Sequence, residues 1–420
     1  MRSPLPRSLN LPVFPWDTLL KAKNVANQHP DGIVDLSIGT PVDATPEVVQ
    51  EALKEASDAP GYPTALGSEE FQIAVEAWCQ ARGMGYFDPD RVRVMPTVGS
   101  KEMVAWLPFM LGMGAEDRIL IPRCAYPTYE IGARLIGAEV IPVDHDPSSW
   151  PDASLVWLNS PANPDGSVLS MSQLRAVVEW AREHNAVVAS DECYAALVWD
   201  RDLIDAGGCP SLLSYDVCDG DYRNLLVLYS VSKQSNMAGY RAGLMLGDRH
   251  LIDAVLEVRK HTGMIQCTPT LAAMSAALRN SVGAFEWPGE GVTTPIPQFE
   301  CDRGHSNRIH GVSHVVEQRA LYAARREKLL QAFEAIGLVN HPESRAGLYL
   351  WLSDTDSKAS DWELVDALSK LGILVAPGSF YGPDHNRFIR VSLSATDERV
   401  NSACERMYEV DSSFLKQLSR

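Results

Sequence analysis

The sequence predicts an α/β chain: a mostly parallel sheet, covered on both faces, in a large domain, plus a smaller α/β domain. Continuous apolar runs bounded by polar residues recur at 154–158, 186–189 and 225–229, as strands buried on both faces require. A segment of helical periodicity, 172–184, lies between two of them, which is the βαβ alternation of a parallel sheet. The 420 residues suggest two domains, or one large domain with a smaller partner.

Taken in order, residues 1–44 are proline-rich and irregular, with one helical pattern at 16–27. They read as an N-terminal arm and part of the small domain. The large domain is expected over 45–282. It begins with amphipathic helices at 46–56 and 68–82, a strand at 91–96 and a helix at 101–111. Strands at 118–122 and 139–143 flank a helical segment at 128–136, and the three apolar runs follow. Residues 283–313 are turn-rich and aperiodic and read as an inserted loop. The C-terminal small domain, 314–420, opens with a long helix at 314–336. Strand and helix then alternate at 348–352, 360–371, 387–392 and 397–408. There is no internal repeat.

The formal net charge of −17 argues against a nucleic-acid or anionic-membrane partner, since both need a basic face. It leaves room for a small anionic substrate held by a few arginines in a cleft. The eight cysteines include no C-x-x-C pair and read as free cytosolic thiols. The N-terminus is basic but lacks a long apolar run after it. The longest apolar stretch, 103–113, is interrupted by Pro108 and Gly112 and is too short to span a bilayer. A cytoplasmic protein is expected.

In an open parallel sheet, ligands bind beyond the carboxyl ends of the strands. The residues following each apolar run therefore matter most. They are Pro122-Arg-Cys-Ala-Tyr126, Asn159-Ser-Pro-Ala-Asn163-Pro-Asp-Gly166, Asp191-Glu-Cys-Tyr194 and Ser230-Val-Ser232-Lys233. If 242–246 runs back antiparallel, Arg241 begins at the same edge. Gly99-Ser100-Lys101 opens a helix, whose free N–H groups and macrodipole attract an anion. Arg241, Ser232 and that helix start make a phosphate cup. Asp191 can hold a protonated ring nitrogen, Asn163 and Tyr194 can hydrogen-bond a ring hydroxyl, Tyr126 can stack on a flat ring, and Lys233 can form an imine. These are the handles pyridoxal phosphate needs. Singly, each has a plainer reading: Lys233 as surface, Asp191-Glu192 as a helix cap with its first-turn acid, Asn163-Pro-Asp-Gly as a turn. Their joint occurrence at successive strand ends favours the cofactor.

The same stretches, with Arg241-Ala-Gly243 and Arg387-Phe-Ile-Arg390-Val-Ser392, resemble the class I/II pyridoxal-phosphate aminotransferases of fold type I. The resemblance covers about 34–407, excepting the insertion. It implies that Lys233 carries the cofactor and shuttles the proton, and that Asp191 pairs with the pyridine nitrogen. Asn163 and Tyr194 would contact the ring oxygen, Tyr126 would stack, and Ser100, Ser230, Ser232 and Arg241 would surround the phosphate, with Gly99 and Lys101 at the same helix start. Arg390 would grip the substrate α-carboxylate, with the backbone of Gly39 and the side chain of Asn163 beside it. Tyr62 would reach the phosphate of a second subunit, which implies a homodimer with shared active sites. Leu11-Pro-Val-Phe-Pro-Trp-Asp-Thr-Leu, Asp31-Gly-Ile-Val-Asp-Leu-Ser-Ile-Gly-Thr-Pro-Val-Asp and Lys101-Glu-Met-Val-Ala-Trp-Leu-Pro look like the actinobacterial-type N-succinyldiaminopimelate aminotransferases. The implied reaction moves the amino group of glutamate to N-succinyl-2-amino-6-oxopimelate.

Three features depart from the family pattern. Asp165 stands for the usual Thr of a turn that should tolerate it. Gln266-Cys267-Thr268 stands where relatives carry Val-Pro-Ala. The 283–313 loop has no counterpart. That loop and its flank hold Cys301, Asp302, His305, His310 and His314, at a spacing that matches no zinc finger; a solvated loop is expected and no metal. The remote carboxylates of the implied substrate need cationic partners, with Arg7, Arg123 and the groups near Gln266 as candidates. The rival activities are an aminotransferase for another amino acid, a C–S β-lyase on the same cofactor, and a cofactor-binding regulatory protein. The last of these would need a DNA-binding domain for which the first forty residues are too few.

Overall fold

The computed structural model describes residues 11–284, 313–354 and 359–410. After a two-residue strand, β1 (Val34–Asp35), come β2 (Val92–Thr97), β3 (Arg118–Pro122), β4 (Glu139–Val143), β5 (Leu155–Asn159), β6 (Val187–Asp191), β7 (Leu225–Ser230) and β8 (Gly243–Asp248). The last seven form one sheet in the order β2-β8-β7-β6-β5-β3-β4. Strands β3 to β7 pair in parallel, and β8 runs antiparallel between β2 and β7. The reversal puts Gly243, at the start of β8, level with both Thr97 and Ser230. The expected antiparallel return is present, and Arg241 enters at the carboxyl edge of the parallel strands.

Every residue of β5, β6 and β7 is buried, and alternation along each strand sends successive side chains to two different cores. Val156, Leu158, Val188, Val227 and Tyr229 join one cluster with Phe71, Trp78, Leu174, Val177, Leu271 and Met274. Leu155, Trp157, Val187, Ala189, Leu226 and Leu228 join another with Met103, Leu107, Tyr129, Ala133, Ile252 and Val255. Glu69–Ala81, Met171–His184 and Thr268–Ser281 thus cover one face, and Ser100–Met110, Thr128–Ile136 and Arg249–Thr262 the other. The helices at Arg249–Thr262 and Thr268–Ser281 were not read from the sequence. The first is capped by Asp248, which accepts from His250 N–H, and the second has a proline in its first turn.

The long helix His314–Ala335 leads into β9 (Leu338–Asn340), β10 (Tyr349–Asp354), β11 (Ile373–Leu374), β12 (Ala376–Pro377) and β13 (Phe388–Ser392). Strands β12-β13-β10-β9 form an antiparallel sheet, and β11 pairs in parallel with β1. A third core joins Leu19, Val34 and Leu36 from the start of the chain to Tyr322, Phe333, Leu350, Leu364, Val391 and Met407. Nearly all of the 283–313 segment, including Cys301, Asp302, His305 and His310, lies outside the described residues, as does Arg7. None of the described helices is long and apolar enough to cross a membrane.

Two ion-pair systems fix the frame. Arg325, on the long helix, grips Asp43 with both terminal nitrogens at 2.8 and 2.6 Å and donates Nε–H to Asp397 at 2.6 Å. Arg82 meets Glu192 at 2.8 Å with both side chains almost wholly buried. Arg82 also lies 5.0 Å from the Trp78 ring, and Glu192 accepts from Ser211 O–H and Leu212 N–H, both at 3.0 Å. Glu192 is therefore a buried ion-pair partner that pins the end of β6, and no helix starts at Asp191-Glu192 for it to cap. Removing one member of a buried pair strands the other charge. Arg82→Leu should lower the unfolding free energy by about 3–5 kcal/mol, read by urea titration. The double variant with Glu192→Leu should lose less than the single one. Equal losses for the single and double variants would show that the pair is not coupled.

Candidate active site

Asp191 is the last residue of β6, inside the strand, where the apolar run read from the sequence ends at 189. Its side chain is buried. Oδ1 accepts from Cys193 N–H and Oδ2 from the Tyr129 hydroxyl, both at 3.2 Å. Burial pushes this carboxyl above its ordinary value, against the lowering effect of those hydrogen bonds. Among the described residues no cation pairs with it. Neighbouring β5 ends in Asn159, level with Asp191; its amide donates to the Asp191 carbonyl at 2.9 Å, and its Oδ1 accepts from Asn163 N–H at 2.7 Å. The turn that follows holds two cis prolyl bonds. Asp165 is accommodated there because its carboxylate accepts from Ser167 N–H and O–H at 3.1 and 2.9 Å.

Strand β7 ends at Ser230, whose hydroxyl donates to Ser232 at 2.8 Å and lies 3.0 Å from the Ala242 carbonyl. Lys233 follows, half-buried, and its ammonium donates to the Gly39 carbonyl. Arg241 adopts the left-handed conformation at φ 53°, and Gln266 holds its carbonyl with a 2.6 Å hydrogen bond. The guanidinium of Arg241 lies against Gly99, so a Cβ at position 99 would collide with it. Gly99 precedes the helix Ser100–Met110, whose free N–H groups open beside Arg241. An acid in that first turn, Glu102, would repel an anion, but buried Arg259 neutralises it at 2.9 Å.

The carboxylate-binding candidate, Arg390 on β13, is buried. It donates to Asn163 Oδ1 at 2.9 Å and to the Ser37 carbonyl at 2.6 Å. Its Nε has no partner among the described residues. Its guanidinium sits 3.9 Å from the Tyr349 ring centre and 5.6 Å from that of Trp16. The Tyr349 hydroxyl is 3.3 Å from that of Tyr194 and packs on Gly39, where it leaves no room for a Cβ. On the other side, Tyr126 lies edge-on to Tyr129, 6.3 Å away between ring centres. Exposed Lys101 reaches within 6.0 Å of the Tyr126 ring and 5.5 Å of Phe14.

One continuous set of contacts thus joins Asp191, Tyr126, Lys101, Arg390, Asn163, Tyr194, Gly39 and Lys233. Sheet register places Ser230 and the approach to Gly99 and Arg241 on the same edge. Tyr62 stands apart, fully exposed. Two candidates for remote carboxylates are already engaged: Arg123 pairs at the surface with Asp144 at 2.9 Å, and Gln266 holds Arg241. The edge offers a half-buried amine, a buried carboxylate awaiting a cation, an anion cup and a buried guanidinium. This set fits pyridoxal phosphate: a protonated ring nitrogen supplies the missing cation for Asp191, and the phosphate suits the cup at Gly99 and Arg241.

The family profile for aminotransferase class I and II matches residues 31–285 and 299–407. The chain belongs to the class I and II aminotransferases. The cofactor of this family is pyridoxal phosphate. The aminotransferase is 44% identical over 404 residues to a probable aminotransferase of Mycobacterium tuberculosis, covering 95% of this chain and 86% of the relative. It is also 44% identical over 400 residues to the 4-dedimethylamino-4-oxo-anhydrotetracycline transaminase of Streptomyces rimosus, covering 94% and 99%. Among solved structures it resembles a probable N-succinyldiaminopimelate aminotransferase of Thermus thermophilus, at a TM-score of 0.75 and 26% identity, covering 94% of this chain and 100% of that one.

Sequence reasoning missed several residues that shape this aminotransferase's site. Tyr129 lies three residues beyond Tyr126, in the first turn of the helix Thr128–Ile136, and its closeness in sequence to Tyr126 could have flagged it. Tyr349 emerges only from the register of β10 against β13. A buried polar chain under Lys233 was also missed. Tyr229 donates to Gln234 Oε1, Gln234 donates to Ser235 Oγ at 3.2 Å, and Ser235 meets His314 Nε2 at 2.7 Å. His314 Nδ1 lies 2.5 Å from Asn280 Oδ1, which can only accept, so the proton belongs on Nδ1. Burial pushes this imidazole down to about 4, which keeps it neutral. The unfolded chain protonates the same histidine near 6.5. Its contribution to stability is therefore full above that value and is lost as the pH falls toward 4. Unfolding free energy should drop by about 2 kcal/mol from pH 7 to pH 5 through this group. His314→Gln should flatten that part of the stability profile; an unchanged slope would remove His314 as its source.

Proposed function

We propose that this aminotransferase takes the amino group of glutamate and delivers it to N-succinyl-2-amino-6-oxopimelate. The observation that carries the chemical part is the buried Asp191 carboxylate with no cationic partner among the described residues, in contact with Tyr129 at the edge where Lys233 emerges. Pyridoxal phosphate, when bound, supplies a ring that accepts the electron pair left at the substrate Cα. Asp191 keeps a proton on the ring nitrogen. Tyr194 and Asn163 orient the ring through its oxygen, and Tyr126 stacks on it. Ser100, Ser230, Ser232 and Arg241 hold the phosphate, with Lys101 at the cup's rim. Lys233 would carry the cofactor and, with its amine free, would take the proton at the substrate Cα and hand it back as the amino group is transferred. Arg390 fixes the α-carboxylate with its free N–H groups. Tyr62 serves the phosphate cup of a second copy, which makes the working unit a homodimer.

Reduction of the loaded protein with borohydride should fix a pyridoxyl group on the peptide containing Lys233, and the same preparation should sediment as a dimer. Label on a different lysine would refute the role of Lys233, and a fully active monomer would refute that of Tyr62.

The acceptor is the finer part of the proposal. It is supported by the resemblance of the 11–19 and 31–43 stretches to N-succinyldiaminopimelate aminotransferases, and by the likeness to the Thermus protein. A second reading, a polycyclic ketone acceptor, draws on the 44% identity with the tetracycline-pathway transaminase across nearly its whole length. An acceptor screen with glutamate as donor separates them. The succinylated keto acid should exceed oxaloacetate and phenylpyruvate in kcat/KM by at least about tenfold. Preference for a polycyclic ketone would establish the second reading, and comparable constants for small keto acids would exclude both.

A further inference from the structure

We propose that Tyr349 is a positioning residue that couples the grip on the substrate carboxylate to the phenol of Tyr194. The inference rests on the functional reading above. Tyr349 lies on β10, two residues from Trp351, which is level with Arg390 on β13. Tyr349 and Arg390 are therefore diagonal neighbours on one face of the sheet, and the ring lies under the guanidinium at 3.9 Å. A cation over an aromatic face in a desolvated site is held in position as well as stabilised. The other end of the side chain does separate work. Its hydroxyl is 3.3 Å from that of Tyr194 and abuts Gly39, whose carbonyl takes the Lys233 ammonium. One side chain thus touches the carboxylate grip, the ring-oxygen partner and the residue that receives the lysine.

The direction of the hydroxyl pair follows from chemistry. Either oxygen can donate in isolation. When Tyr194 gives its proton to an anionic ring oxygen, it can only accept from Tyr349, so Tyr349 becomes the donor. A donated hydrogen bond polarises Tyr194 and makes it the stronger donor in turn. Among the described residues, the charged and titratable groups facing this pair are Arg390 on β13, Tyr381 beside that guanidinium, Cys193 beside Tyr194, Tyr322 on the long helix, and Lys233 across Gly39. Arg390 and Lys233 are unchanged by a Tyr349→Phe substitution, which isolates the hydroxyl.

The test is a pH titration of the visible absorption of the pyridoxal-phosphate-loaded protein, parent against Tyr349→Phe, with steady-state kinetics on both. Losing the donor weakens stabilisation of the ring-oxygen anion, so the absorption midpoint should rise by about 0.5 unit in Tyr349→Phe. In that variant kcat should fall about threefold or more while KM for the amino donor stays within about twofold, because the ring remains under Arg390. Tyr349→Leu removes the ring as well and should raise that KM about fivefold or more. A midpoint moved by less than about 0.1 unit in Tyr349→Phe, with the band present in both proteins, overturns the coupling while leaving the functional reading in place. Absence of any cofactor band in the parent protein overturns the functional reading and the coupling with it.

Discussion

A carboxylate buried at the end of a central strand is the constraint around which this molecule is arranged. Asp191 is shielded from most water, so its charge has to be met largely by fixed donors. The chain supplies two, Cys193 N–H and the Tyr129 hydroxyl, and each anchors a different element. Tyr129 ties in the helix Thr128–Ile136, and its ring rests on Trp157 of β5, 5.3 Å between centres. Asn159 braces the Asp191 carbonyl and the turn leading to Asn163. Next door, Glu192 points the other way, into a buried pair with Arg82. Two adjacent acids thus serve opposite faces of the sheet, as strand alternation demands. These neutral donors leave the Asp191 charge partly unmet, which is what a cationic ring nitrogen requires of its partner.

The second requirement is to bring residues from both ends of the chain to that edge. Gly39 and Arg390 lie far apart in sequence yet share the Tyr349 side chain. The shared core of Leu19, Leu36, Phe333 and Val391 makes this possible, and the Arg325 clamp on Asp43 and Asp397 fixes its orientation. Asn236, three residues after Lys233, donates to Gln318 at 2.7 Å and to the Ala44 carbonyl at 3.2 Å. The lysine-bearing loop is therefore attached to the same clamp.

The residues proposed for the chemistry and those suggested for a remote substrate end differ in their surroundings. Asp191, Asn163 and Arg390 are buried and hydrogen-bonded. The groups suggested for a remote substrate end are on the surface or engaged elsewhere: Arg123 serves Asp144 and Gln266 serves Arg241.

The sequence alone determined the strand ladder and the polar strand ends, because both depend on local pattern. A short apolar run flanked by polar residues reads as a buried strand, and in an open parallel sheet its carboxyl end borders the ligand cleft. Asp191, Asn163, Lys233 and Arg241 were legible for that reason, as were the helices with clear periodicity. The helices Arg249–Thr262 and Thr268–Ser281 were less legible. Their faces are set by which strands they cover, and Thr268–Ser281 is buried nearly all round, which blurs its period. Only the tertiary structure decided the rest. The ring of Tyr349 under Arg390 depends on the register of β10 against β13. The place of Tyr129 on Asp191 depends on how one helix packs on the sheet. The neutral state of His314 depends on the burial of Asn280 and Ser235 around it. Each is a contact between residues distant in the chain, whose partner choice is set by packing rather than by any local signal.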